Sequence, residues 1–289
     1  AGAGDEVLVC DLSMERNRAA LLALLARGAR VRYFDHHAVA EVPSHPALEA
    51  HIELGSGVCT SVLVDRHLGG RFRAWAVVGA YGDNLRGVAE RLAAQIGLHP
   101  RERELLRMLG EAINYNAYGD DAHDVHIAPS RLYPLLARYR DPLQFVEREP
   151  VALEIDALRR TDLARAMGQV PWWEGAAGAV YLLPDAPWSR RVIGSFANEL
   201  AVAHPRRAHA VARRTADGAL VVSVRAPIDA PGGASDLCRR FGGAGRASAG
   251  GIDGLPEDRF EAFVHAFATT AWGERASADS PPSTGGRAR

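Results

Sequence analysis

The chain has 289 residues, 47% of them apolar and 24% charged, and a net charge of −1, values of an ordinary globular protein of one large or two ordinary domains. So even a charge balance excludes a surface built as a whole to attract a phosphate backbone, and any such contact must come from a local patch. All 34 basic residues are Arg; without Lys, Schiff-base chemistry and a Walker-type phosphate loop are excluded, since both need an amine.

No run approaches the roughly 18 uninterrupted apolar residues of a membrane span, and no charged-then-apolar leader opens the chain. The expectation is a soluble cytoplasmic protein. Cys10, Cys59 and Cys238 are odd in number and form no Cys-x-x-Cys pair, which fits small buried hydrophobes in a reducing compartment.

The first strand is expected at 7–10, followed by Asp11. A helix can then start at Ser13 as N-cap and run to Arg27, with Leu21, Leu22, Leu24 and Leu25 as its buried stripe and Gly28 as its stop. Next come Val31, Arg32, Tyr33 and Phe34, β-prone residues that run straight into Asp35, His36 and His37. Residues 7–37 therefore read as a right-handed βαβ unit with parallel strands. It brings Asp11 and the Asp-His-His tripeptide to the carboxyl edge of the sheet, where open α/β sheets bind ligands. One carboxylate and two imidazoles offer the donor mix of a divalent ion such as Mn²⁺, or of Zn²⁺ in a closed site. In isolation Asp11 also fits a helix-capping or turn role.

A short strand at 51–54 precedes a Gly/Ser-rich run that can open a helix reaching His67, ended by Gly69 and Gly70; its exposed N–H groups are a weak candidate anion site. Residues 74–81 are too uniformly apolar to choose between strand and helix. Asp83 follows them directly, and a carboxylate at the end of a buried segment needs a partner: a metal, an Arg or a turn. Two amphipathic helices are expected between 87 and 115, separated at 97–100. The segment 116–175, with helical stretches at 132–139 and 151–167, reads as a connector. Its cluster Asp120, Asp121, His123, Asp124 and His126 fits neither zinc-helix nor calcium-loop spacing and reads as a polar loop.

From 176 the character changes to short strands at 179–183, 208–213 and 220–224, with a helix at 189–203 between the first two and a hairpin turn at 215–218 between the last two. Ser223 and Arg225 fall on one side of a strand. Gly242, Gly243 and Gly245 permit close approach of backbone N–H groups to an oxyanion, to which Arg246 adds a guanidinium. A flexible turn is the commoner role of such glycines. A helix at 257–267 closes the fold, and the Ser/Pro/Gly/Arg composition of 273–289 is that of a disordered tail.

Asp35-His36-His37, Asp11, Asp83 within Gly79-Ala80-Tyr81-Gly82-Asp83-Asn84, and the late glycine cluster at 241–251 occur in an order that resembles the DHH/DHHA1 phosphoesterase superfamily, over nearly the whole chain. The resemblance implies an α/β fold with a parallel-sheet DHH domain at 1–115, a helical connector at 116–175 and a smaller α/β, DHHA1-like domain at 176–272. It implies two divalent ions, usually Mn²⁺, with Asp11, His36 and Asp83 as metal ligands. Asp35 then orients the pair, His37 faces the substrate phosphate, and Arg225 with Gly242, Gly243, Gly245 and Arg246 clamps it. The implied reaction is hydrolysis of a phosphodiester or phosphoanhydride by a metal-activated water. The substrate is a short oligonucleotide, a dinucleotide or another small phosphorylated molecule, as in the nanoRNase and cyclic-dinucleotide phosphodiesterase branch; a homodimer is allowed. Against that pattern, only ten residues precede Asp11, whereas a further βα unit carrying an Asp-x-Asp-Gly loop takes about 30. The expectation is a shortened version of the natural protein that lacks this first motif. Arg246 also stands where the glycine motif usually carries His. The rival readings are a non-catalytic nucleotide- or metal-binding regulatory protein and a metal-independent group-transfer enzyme such as an acyltransferase.

Overall fold

The computed structural model describes residues 1–55 and 57–273. The chain forms two compact units, Ala1–Ala117 with His126–Leu158, and Tyr118–Val125 with the described chain from Arg159 onward. The 116–175 segment is thus shared between them rather than standing as a separate connector. Apart from Gly273, the tail expected to be disordered lies outside the described residues.

In the first unit, β1 (Glu6–Cys10), β2 (Arg30–Asp35) and β3 (Leu48–Ile52) form a parallel sheet in the order β1-β2-β3. Helix α1 (Arg18–Ala26) makes the first crossover and seats Leu21 and Leu25 against Val31 and Tyr33, while Leu22 faces solvent. The helix begins five residues later than Ser13. The loop before it is tied to the next strand: the Tyr33 hydroxyl donates to the Leu12 carbonyl at 2.6 Å and the Met14 amide to Asp35 Oδ2 at 3.2 Å, so helical geometry starts only beyond these ties. Strand β3 starts three residues earlier than the sequence pattern indicates, because its register opposite Val31 begins at Leu48.

Helices α2 (Thr60–His67), α3 (Arg73–Gly82), α4 (Arg86–Gln95), α5 (Pro100–Asn116), α6 (Pro129–Leu136), α7 (Pro142–Arg148) and α8 (Val151–Met167) follow. The ambiguous apolar run is therefore the helix α3. It packs on α5 nearly backbone to backbone: a Cβ on Gly110 would stand 2.2 Å from the Val78 carbonyl oxygen. Asp83 is the residue that caps the carboxyl end of α3.

The second unit holds a mixed sheet in the order β4-β5-β6-β7-β9-β8. Its strands are β4 (Trp173–Gly175), β5 (Gly178–Leu183), β6 (Ala208–Arg214), β7 (Leu220–Arg225), β8 (Ala244–Arg246) and β9 (Ala249–Leu255). Helix α9 (Pro187–Ala203) joins the parallel pair β5 and β6, and the other pairings are antiparallel. Helices α10 (Ala234–Arg240) and α11 (Phe260–Ala268) help to cover a core of Val180, Val222, Val224, Phe263 and Phe267. Among the described residues no helix is long and apolar enough to cross a membrane.

Candidate metal and phosphate site

Strand β2 ends in Asp35, whose carboxylate is fully buried and fully used. Its Oδ1 accepts from the His36 amide at 2.9 Å, the His37 amide at 3.3 Å and His37 Nδ1 at 2.6 Å, and its Oδ2 accepts from the Met14 amide. Asp35 is therefore a positioning group for the two imidazoles. With Nδ1–H of His37 committed to Asp35, Nε2 is left as the second ring nitrogen, on a side chain that is half exposed.

His36 is oriented from the other side. Its Nδ1 lies 3.1 Å from the Val58 carbonyl, so Nδ1 carries the proton and Nε2 presents its lone pair toward Asp11 Oδ1, 3.4 Å away. This is how ligating histidines are held, one nitrogen fixed by a carbonyl and the other free for an ion. The Asp11 carboxylate beside it pushes the His36 pKa up against the opposing effect of burial, and Asp83 adds to the rise. Reciprocally, His36 and then Thr60 hold the Asp11 carboxyl below its usual range. Asp11 sits at φ +61°, a left-handed conformation that Asp adopts more readily than most residues. Thr60 Oγ1 donates to its Oδ1 at 2.8 Å.

Ligand atoms of Asp11, His36 and His37 all lie within 4.8 Å of one another. Two nitrogens and one oxygen at that spacing fit a divalent ion. The expected set was Asp11, His36 and Asp83. The structure puts Asp83 close enough to act on His36 electrically, but the compact triad takes His37 in its place. Val58 and Thr60, at the start of α2, were not singled out from the sequence. Their only signal was the Gly/Ser-rich run that opens this helix, and neither a backbone carbonyl nor a Thr in such a run points to a particular partner.

In the second unit Arg225 and Arg246 share one row of the sheet, each directly opposite Ala249 on β9. Arg225 donates from Nε to Asn198 Oδ1 at 2.7 Å and from Nη1 to Ser223 Oγ at 3.0 Å and the Val224 carbonyl at 2.9 Å. Neither Arg meets a carboxylate among the described residues. Burial pushes the Arg225 pKa down and Arg246 adds to this, and among the described residues no carboxylate neutralises the pair. The glycines beside them differ from expectation. The amides of Gly242 and Gly243 donate to the Arg239 and Cys238 carbonyls and cap α10, so they are spent within the fold rather than aimed at an oxyanion. Gly245 lies in β8 opposite Gly250, where a Cβ would stand 2.4 Å from the Ala249 carbonyl oxygen. Close strand pairing is the reason for this glycine.

The polar cluster at 120–126 is likewise a framework. Asp120 pairs with Arg213 and Arg190, and Asp124 accepts from Arg190 at 2.8 Å and from the Asp120 amide at 2.8 Å. Within the other unit, His126 Nε2 meets Glu154 at 3.1 Å.

No family model matches this chain, and no curated protein matches its sequence. Among solved structures, RecJ from Thermus thermophilus in complex with Mn²⁺ matches with a TM-score of 0.56 at 20% identity, over 91% of this chain and 44% of that one. RecJ from the same organism in complex with Mg²⁺ matches with a TM-score of 0.52 at 15% identity, over 91% and 49%. A pGpG-specific phosphodiesterase, PggH from Vibrio cholerae, matches at 0.49 and 13% identity over 91% and 99%. The chain spans less than half the length of either RecJ structure. With its parallel three-stranded sheet and separate mixed sheet, the chain has the fold of the part of RecJ that it matches.

Proposed function

We propose that this chain is a metal-dependent phosphoesterase acting on a phosphodiester or phosphoanhydride of a short oligonucleotide, a dinucleotide or a similar small substrate. The observation that carries the reading is the pair of orienting contacts at the end of β2: Asp35 fixes one ring nitrogen of His37, the Val58 carbonyl fixes one of His36, and both imidazoles converge with Asp11. The Mn²⁺ and Mg²⁺ bound by RecJ are consistent with such a donor set.

Asp11, His36 and His37 would hold the divalent ion, Mn²⁺ for preference, with Asp83 contributing charge from the end of α3. When bound, such an ion supplies Lewis acidity and lowers the pKa of a water toward neutrality. The remaining work falls to the chain. Asp35, already accepting three amides, keeps His37 from rotating and sets its tautomer, so the outer ring nitrogen is aimed without reorganisation. Thr60 stops the Asp11 carboxylate from turning away. Arg225 and Arg246 are proposed to bind a substrate phosphate, since two guanidiniums that meet no carboxylate among the described residues are a natural anion site. An even net charge favours a short substrate, because long duplexes reward many phosphate contacts.

The test is hydrolysis of bis(p-nitrophenyl) phosphate and of a short RNA by the purified chain with added Mn²⁺. Turnover that chelation abolishes supports the reading. Metal uptake without turnover would leave a non-catalytic binding protein, and turnover indifferent to chelation would point to metal-independent chemistry.

A further inference from the structure

A second set of metal-type donors, on β3 and α2, shares no residue with the Asp11 set. Glu49 and His51 stand two apart on β3, hence on one face, and His67 ends α2. His51 Nε2 is 2.7 Å from Glu49 Oε1, His67 Nδ1 is 4.0 Å from the same oxygen, and the ligand atoms of all three lie within 4.8 Å of one another. We infer that Glu49, His51 and His67 form a second cation site, for a divalent first-row transition-metal ion of the Zn²⁺ kind.

The donors are held in place rather than merely near one another. The His51 ring stacks on buried Phe34 with centroids 4.6 Å apart and planes 6° from parallel, and His67 stands edge-on to both rings at 4.9 and 5.2 Å. Phe34 itself is packed by Val58 and Leu63. Arg32 Nε holds Glu49 Oε2 at 2.8 Å, which turns Oε1 toward the imidazoles. All three ligand side chains keep a quarter to a half of their surface open, so an ion has an entry path and room for solvent on its remaining positions. Ligand atoms around one ion with bonds of about 2.1 Å stand roughly 3 Å apart, and small torsions at Glu49 and His67 reach that from the present spacing. Two imidazoles and one carboxylate make a borderline donor set, better suited to a transition metal than to Mg²⁺ or Ca²⁺.

The position gives such an ion a consequence. It would tie β3 to the carboxyl end of α2, whose opposite end supplies the Val58 carbonyl to His36 and the Thr60 hydroxyl to Asp11. The ion at Glu49, His51 and His67 acts as a brace on the helix that orients the first set.

The experiment uses the full chain carrying Asp11→Asn and His36→Gln, which removes the first set, and titrates it with Zn²⁺ by calorimetry and with Co²⁺ by visible absorption. The expected result is uptake of one equivalent, a Co²⁺ spectrum with imidazole ligation and a rise in Tm with Zn²⁺. All three are lost when His67→Gln or His51→Gln is added. Since His67 is at a partly exposed helix end, far-UV circular dichroism of that variant should be unchanged, and Glu49→Gln gives an independent loss. Absence of uptake, or uptake indifferent to all three substitutions, overturns the site. The readout is metal binding, so the result is independent of whether the chain turns over a phosphodiester.

Discussion

His37 Nδ1 and Asp35 Oδ1 stand 2.6 Å apart, with the imidazole half exposed and the carboxylate without any solvent contact. A buried acceptor that serves three amides and one ring N–H cannot lose its second oxygen without exposing a mismatch. Asp35→Asn places an NH₂ group against one of those donors. The expected cost is on the order of 1–3 kcal/mol in urea unfolding. The Mn²⁺-dependent rate should fall roughly 10- to 100-fold, as expected when the group that orients a metal-ligating histidine is weakened. Full activity in a stably folded Asn variant would show that His37 does not act through Asp35.

Asp11 occupies a left-handed backbone position, so the residues that replace it without strain are Asn and Gly. Asp11→Asn and Asp11→Gly are therefore expected to hold Tm within a few degrees of the parent chain, the Gly variant exchanging the Thr60 hydrogen bond for relief of about 1 kcal/mol of strain. Mn²⁺ uptake at this set should nevertheless be lost in both. Calorimetric titration against parallel thermal melts separates the two effects, and retained Mn²⁺ affinity in both variants would remove Asp11 from the ligand set.

The parts legible in sequence are those that local chemistry dictates. Val31 to Phe34 ending in Asp35 could only be a buried strand reaching a polar edge, and Gly28 at φ +83° closes α1 where the pattern expects it. The helix α3 was not legible, because an apolar run of this length has no period once every face is buried; what decides it is the close approach of α5 at Gly110. The roles of Gly242 and Gly243 were not legible either: a Gly-Gly pair after a helix reads the same whether its amides face a ligand or, as here, the last carbonyls of that helix. Glu49, His51 and His67 are separated by enough chain that only the pairing of β3 with β2 and the length of α2 bring them together.

That close approach makes its own prediction. A methyl on Gly110 has nowhere to go but into the Val78 carbonyl, so Gly110→Ala should destabilise the first unit by about 1–3 kcal/mol, as overpacked sites do, despite the better helix propensity of Ala. Chemical unfolding of the variant checks this, and a gain in stability would mean that α3 and α5 are further apart.

His209 is a buried titratable group on β6. Burial, with His204 and Arg207 adding and Glu174 opposing, pushes its pKa down to about 4. In the unfolded chain the imidazole takes up its proton near 6.5, so between these values unfolding binds a proton. The contribution to stability is complete above the unfolded value and is lost as pH falls toward the folded one, on the order of 2 kcal/mol by pH 5. Thermal melts at pH 7 and pH 5 should show this loss, and His209→Phe should flatten the part of the curve that His209 causes. An unchanged pH dependence in that variant would assign the acid sensitivity to other groups.

Arg225 and Arg246 flank Ala249 in one sheet row, yet their surroundings differ. Arg246 is exposed and meets no carboxylate among the described residues, so Arg246→Gln should leave stability within about 0.5 kcal/mol. It should raise KM, and the inhibition constant of inorganic phosphate, by roughly 10-fold, the worth of one charged hydrogen bond. Arg225 spends Nε on Asn198 and Nη1 on Ser223 and the Val224 carbonyl, leaving Nη2 for an anion. A Lys at this place has one nitrogen where the fork has three. Arg225→Lys keeps the charge but cannot hold Asn198 and Ser223 while also reaching an anion. It should weaken phosphate as much as Arg225→Gln does, with kcat moving less than KM. Rescue by Lys would mean that charge alone, and not the guanidinium fork, is what the anion meets.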